Sequence, residues 1–166
     1  IQGLIMFLRL LGEESEALAY PTDGVAFADV PDWALSYVAY AYQKGYTKGQ
    51  GMDLQQRVVF GPNVALTAQD YTTFLLRALG HVEGTDFHWL TALDDAKTLG
   101  LLTEGERALT AEPEFRRAQV AYLSYFALFA KPVGEEGVLL DRLTTKGVVE
   151  KEKAMGVTAS LAVQRL

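Results

Sequence analysis

Cysteine is absent from this 166-residue chain, which removes disulfides and thiolate metal ligands from consideration. The absence fits a reducing cytosol, and equally a secreted bacterial protein that does without disulfides. Histidine is scarce. His81 and His88, with Asp86 between them, are the only two, and their spacing across a glycine-containing turn matches no zinc motif. Basic residues are few and scattered, 15 Lys and Arg against 21 Asp and Glu, so the chain lacks the basic stripe that nucleic acid demands of a partner. There is no glycine-rich phosphate loop and no nucleophile elbow. Glu13-Glu14, Asp94-Asp95 and Glu135-Glu136 are adjacent carboxylates, and side chains adjacent in sequence rarely face one point, so they read as solvated surface. Glycoside hydrolysis needs two carboxylates across a cleft at a set distance, which one sequence does not exclude, and a hydrolase is the least favoured reading. The chain therefore reads as a non-enzyme with no metal and no cofactor.

Apolar runs long enough to cross a bilayer are also missing. The most apolar stretch lies between Ala118 and Ala130, where only Gln119 and Ser124 are polar, and it is too short for a span. The first residues imitate a signal peptide, with an apolar run and a small-residue Ala17-Leu18-Ala19 site. Arg9 interrupts that run and no basic segment precedes it. Ile1, Leu4, Ile5, Leu8 and Leu11 instead share one face at helical spacing, which predicts a core helix. A sequence that begins with Ile1 inside a helix reads as a piece of a longer chain.

What is present is a folded composition, 49% apolar and 22% charged. Apolar periodicity predicts helices near 1–11, 33–44, 68–79, 89–99, 115–130 and 138–145, with further helix after Glu150. Gly61-Pro62-Asn63, Gly80, Gly84, Pro113 and Pro132-Val133-Gly134 punctuate the connections without a long linker, so one domain is expected. The helices are of two kinds. One kind stops at glycine followed by an apolar residue, in "AYQKGYTKG", "DAKTLGLLTEG" and "LTTKGVVEK", which places Gly45, Gly100 and Gly147 at the left-handed position that closes a helix. The other kind is "IQGLIMFLRLLG", "AQDYTTFLLRALG" and "RAQVAYLSYFALFA". The last is apolar nearly all round, which predicts burial and puts this set at the centre of the molecule. The two kinds alternate with a period of about 50 residues, as in a repeat whose single unit cannot cover its own apolar face.

These units resemble the S-layer homology domains of bacterial cell-surface proteins. The second unit carries the likeness in "FADVP", Trp33, "KGYTKG", "FGPN" and "LTAQD"; the third carries it in "DFHW", "LGLLTEG", "AEPEF" and "RRAQ". The resemblance implies an all-α fold of three pseudo-symmetric helix-pair repeats around a central three-helix bundle, cut open within the first repeat. Residues 1–26 would be the second half of repeat 1 with a linker, 27–80 repeat 2, 85–130 repeat 3, and 131–166 extra helix completing the bundle. It further implies a secreted, non-catalytic anchor on the wall of a Gram-positive bacterium. Such an anchor binds secondary cell-wall polysaccharide, often pyruvylated, in grooves between repeats.

The family's groove arginine, at the start of the second helix, survives only as Arg117; repeat 2 has Ala68 there, and in repeat 1 the position falls before Ile1. A guanidinium suits a pyruvate carboxylate through paired charge-assisted hydrogen bonds, so Arg117 is either such a contact or one half of a surface or interhelix salt bridge. Trp33 and Trp89 are either sugar-stacking faces or core residues. Lys48 is a groove cation or a loop lysine, and Gln119 a ligand contact or a helix cap. Thr67 with Asp70 reads as a capping box. Tyr37 and Tyr40 share a helix face that Tyr42 leaves, so the three do not all enter the core. Ala68 and the worn third repeat leave open an alternative, a degenerate domain that packs against another domain or chain without binding sugar.

Overall fold

In a computed structural model of the chain, residues 1–23, 27–111, 114–160 and 164–166 are described, apart from the side chain of Thr158. The end of the linker before Phe27, the centre of the "AEPEF" turn and residues 161–163 lie outside the described residues. The chain divides into two compact units, Ile1–Leu66 and Thr67–Leu166. The division falls inside the stretch read as repeat 2, between its "FGPN" turn and its second helix.

In the first unit, α1 (Gln2–Leu10) buries Leu4, Phe7 and Leu8 along one stripe, and Leu11 extends it. Gly12, in the left-handed region, turns the chain into α2 (Glu14–Leu18). A single-turn 3-10 helix, Asp32–Ala34, leads into α3 (Leu35–Gln43), which packs on α1 and α2. The tyrosines of α3 divide as the helix period demands: Tyr37 and Tyr40 are buried and Tyr42 is exposed. The Tyr40 hydroxyl donates to Glu16 at 2.8 Å, and burial together with that carboxylate pushes its pKa far above the ordinary phenol value. β1 (Gly51–Met52) and β2 (Val58–Val59) form a short antiparallel ribbon which, with isolated bridges at Phe27–Val58 and Glu83–Phe87, departs from an all-helical pattern. The Asp53 carboxylate fixes its tip by accepting the backbone N–H groups of Gln55 and Arg57.

In the second unit, α4 (Ala68–Ala78) is buried along most of its length. A 3-10 turn, Trp89–Thr91, leads into α5 (Ala92–Thr98), and both pack on α4. Then come α6 (Glu104–Leu109), α7 (Arg117–Ala127), α8 (Leu139–Thr145) and α9 (Lys151–Ser160). α7 packs on α4 through one face, where Tyr71 and Ser124 share a 2.5 Å hydrogen bond. The expectation that α7 is buried all round is therefore corrected. Val120, Leu123, Phe126 and Ala127 are buried, but Ala121 is exposed, as is Phe129 just past the helix end, and α4 is the more enclosed helix. The hydroxyls of Tyr122 and Tyr125 let the second face tolerate water, which a count of apolar letters does not register. No described helix is long and apolar enough to cross a membrane.

The three glycine stops are as expected. Gly45, Gly100 and Gly147 have φ of 74, 78 and 72°, and the residue after each donates its N–H five residues back, Tyr46 to Ala41, Leu101 to Ala96 and Val148 to Leu143. This double closure satisfies carbonyls that the helix end leaves open.

Thr72 in α4 is fully buried, and its hydroxyl finds no hydrogen-bond partner among the described residues. Valine has the same shape without the buried donor. Thr72→Val is expected to stabilise the protein by about 1 kcal/mol, seen as a higher urea midpoint at unchanged slope. A lower midpoint would show that the hydroxyl is satisfied.

Candidate functional site: a tryptophan-flanked groove in the first unit

The first turn of α1, the "FADVP" turn and the segment after "FGPN" enclose an open groove of about 760 Å³ within the first unit. That size suits a small-molecule or saccharide ligand. Asp29 sets its shape. One carboxylate oxygen accepts the Phe60 N–H at 2.9 Å and the other the Gly61 N–H at 2.7 Å, joining turns that lie 31 residues apart in the chain. Pro31, extended at φ −68°, then aims the chain into the 3-10 turn that carries Trp33. Phe27 locks the same region from behind, edge-on to both Tyr42 and Phe60. Gly3 keeps the floor low, because a Cβ there would collide with the Leu66 side chain.

Trp33 lines this groove with 61% of its surface in solvent, so it is not a core residue. Its ring is a flat apolar face beside two amides, Gln2 and Asn63, each able to donate and accept. No basic side chain is among the residues that line the groove. The arrangement suits a hydroxyl-rich ring that stacks through its C–H face and exchanges neutral hydrogen bonds.

Trp89 occupies a related place in the second unit. The predicted capping box is formed at the start of α4, with Thr67 and Asp70 exchanging bonds of 3.1 Å. The second Asp70 oxygen accepts the Trp89 indole N–H at 3.2 Å. The ring is nonetheless 44% exposed, again outside the core.

The remaining candidates are dispersed. Arg117 is exposed as the first residue of α7, and Lys48 is exposed in the loop after α3; neither lines the groove. Gln119 acts as a cap. Its Oε1 accepts the Arg116 N–H at 2.6 Å and its Nε2 donates to the Leu109 carbonyl. His81 and Asp86 stand 4.0 Å apart, and no group of three metal-ligating side chains occurs among the described residues.

The adjacent carboxylates require a correction, for they are not simply solvated. Glu13 is buried under the Tyr46 hydroxyl at 3.0 Å, while Glu14 turns out to Arg9. Asp94 holds Arg107, which keeps its carboxyl below the ordinary range, while Asp95 accepts the His88 N–H and the Thr91 hydroxyl. Glu135 pairs with Arg142. Adjacent side chains do diverge, but toward partners that only the fold brings near.

Sequence reasoning did not single out Asp29, Gln2 or Asn63 as site residues. Asp29 and Asn63 stand inside the quoted "FADVP" and "FGPN" turns, and Gln2 aligns with Asp70 when the second helices are superposed without gaps. Comparison with protein-family models, curated proteins and solved structures finds no match to this chain.

Proposed function

We propose that this chain is a non-catalytic cell-wall-anchoring domain of the S-layer homology type, which holds secondary cell-wall polysaccharide in its groove. The observation that carries the reading is Trp33, a solvent-facing tryptophan above a groove edged by the Gln2 and Asn63 amides. An indole face with neighbouring amides is apt for a sugar ring and supplies neither a nucleophile nor an acid–base pair.

Three repeats follow from this reading. α1 is the second helix of the first, α3 and α4 make the second, α5 and α7 the third, and α8 is the added first helix. The recurrence of a 3-10 turn at each tryptophan and of the glycine closure after α3, α5 and α8 supports that grouping. Arg117 would meet any pyruvate carboxylate, at a second site near the start of α7. The protein would then act at the surface of a bacterium with a thick wall. The second reading, a degenerate domain that packs on a neighbour without binding sugar, is favoured by one observation, the lack of a basic side chain lining the groove.

Co-sedimentation with purified wall polysaccharide separates these. Trp33→Ala is expected to lower retention at least tenfold with an unchanged thermal midpoint, since the ring is mostly exposed. Loss with Arg117→Ala instead would move the site to α7. Full retention in both variants, or none in the parent chain, would favour the packing domain.

A further inference from the structure

The second unit contains a buried carboxylate that has no part in the groove. The Glu106 side chain has 0% exposure. It closes the capping box of α6 by accepting the Thr103 N–H at 2.8 Å, and it also takes the fork of Arg165, with Nε on one oxygen and Nη2 on the other, each at 3.0 Å. Arg165 Nη2 donates as well to the Leu101 carbonyl at 2.7 Å, and the guanidinium lies 5.4 Å from the centre of the Phe126 ring.

The adjoining backbone is held too. The Leu166 N–H donates to the Tyr122 hydroxyl at 2.8 Å, and the Leu166 carbonyl accepts the Thr103 hydroxyl. A Cβ on Gly105 would stand 2.7 Å from the Leu166 carbonyl carbon. Glycine is a poor helix former, and at this position in α6 it is what lets another backbone lie against the helix.

We propose that these groups form an arginine-recognition site whose ligand is an Arg-Leu peptide segment, filled in this structure by the chain's own Arg165 and Leu166. A carboxylate, a carbonyl and an aromatic face around one side chain select the planar guanidinium fork over an ammonium. None of these bonds depends on the segment being tethered. The Arg165 side chain keeps 34% of its surface in solvent, so the site opens outward and its occupant can exchange.

The test is calorimetric titration of acetyl-Gln-Arg-Leu amide into the full chain carrying R165A. The peptide is expected to bind R165A at least tenfold more tightly than it binds the parent chain, whose site is filled, and at least tenfold more tightly than acetyl-Gln-Lys-Leu amide does. Equal binding of the lysine peptide, or no binding to folded R165A, would overturn the proposal. If R165A does not fold, R165K keeps a positive charge in the site, and hydrogen exchange replaces the titration. The Leu166 amide is then expected to exchange at least tenfold faster than in the parent chain, with α4 and α7 unchanged. An unchanged Leu166 rate would equally overturn it.

Discussion

Asp29→Ala is expected to lower the thermal midpoint by roughly 6–12 °C and, on the proposed anchoring function, to abolish polysaccharide retention with it. Both Asp29 oxygens accept backbone N–H groups, Phe60 at 2.9 Å and Gly61 at 2.7 Å. Charge-assisted bonds of this kind contribute about 1.5–3 kcal/mol each. Asp29 is only half-buried, so the lower ends of that range apply, and their sum is about 3 kcal/mol. Alanine also strands two N–H donors against Phe60, which is itself buried. Asp29→Asn is the informative control. Its amide keeps one acceptor oxygen but turns an NH2 toward a second donor, so about half the loss is expected. Both turns that Asp29 joins contribute residues to the lining of the groove, and Trp33 follows two residues after Pro31. Separation of the turns should therefore appear as a change in tryptophan fluorescence at temperatures where circular dichroism still reports folded helix. A midpoint within 2 °C of the parent, by the approximate error of such scans, would show that the turns are held by other contacts.

That pair of bonds also marks where sequence reading stops. Local patterns report local physics. The glycine closures at 45, 100 and 147 were legible because a left-handed residue followed by an apolar one leaves a signature within a few positions. The Thr67 and Asp70 box was legible for the same reason. By contrast α2 has five residues and α6 six, too few for a 3.6-residue period to show, and each strand of the ribbon has two. α6 did announce its start through Thr103 and Glu106, a capping box of the kind recognised at Thr67. What no window contains is a partner far along the chain. Asp29 with Phe60, Glu13 with Tyr46 and Glu106 with Arg165 are separated by 31, 33 and 59 residues. Each is a carboxylate whose role depends on a donor that the fold supplies. The tryptophans were ambiguous on the same ground, since exposure is decided by the 3-10 turn that carries each one and not by the residue type.

Tyr71 carries the other large expected effect, and it depends on pH. Its ring is fully buried in the second unit, edge-on to Phe74 and tilted against Phe115. Ser124 donates to the Val120 carbonyl at 2.6 Å, which leaves its oxygen to accept the Tyr71 hydroxyl at 2.5 Å. Tyr71→Ala opens a cavity between α4 and α7 and removes that bond, for an expected loss of about 4 kcal/mol at neutral pH. Tyr71→Phe keeps the ring and loses the hydroxyl alone, about 1 kcal/mol. Burial pushes the Tyr71 phenol up to about 12 from an ordinary 10. A raised phenol pKa means that the folded state favours the neutral form. Its contribution is present in full below pH 10, declines as pH rises and is gone above about pH 12, and a shift of this size corresponds to about 3 kcal/mol. Tyr40 in the first unit moves in the same direction, through burial and Glu16, so the parent chain should lose stability on alkaline titration in both units. Tyr71→Phe should therefore start less stable at neutral pH and then lose less between pH 10 and 12, so that the two curves cross and the variant is the more stable by pH 12. Urea midpoints measured across that interval decide the matter: parallel curves would mean that the Tyr71 phenol ionises without cost to the packing of α7 on α4.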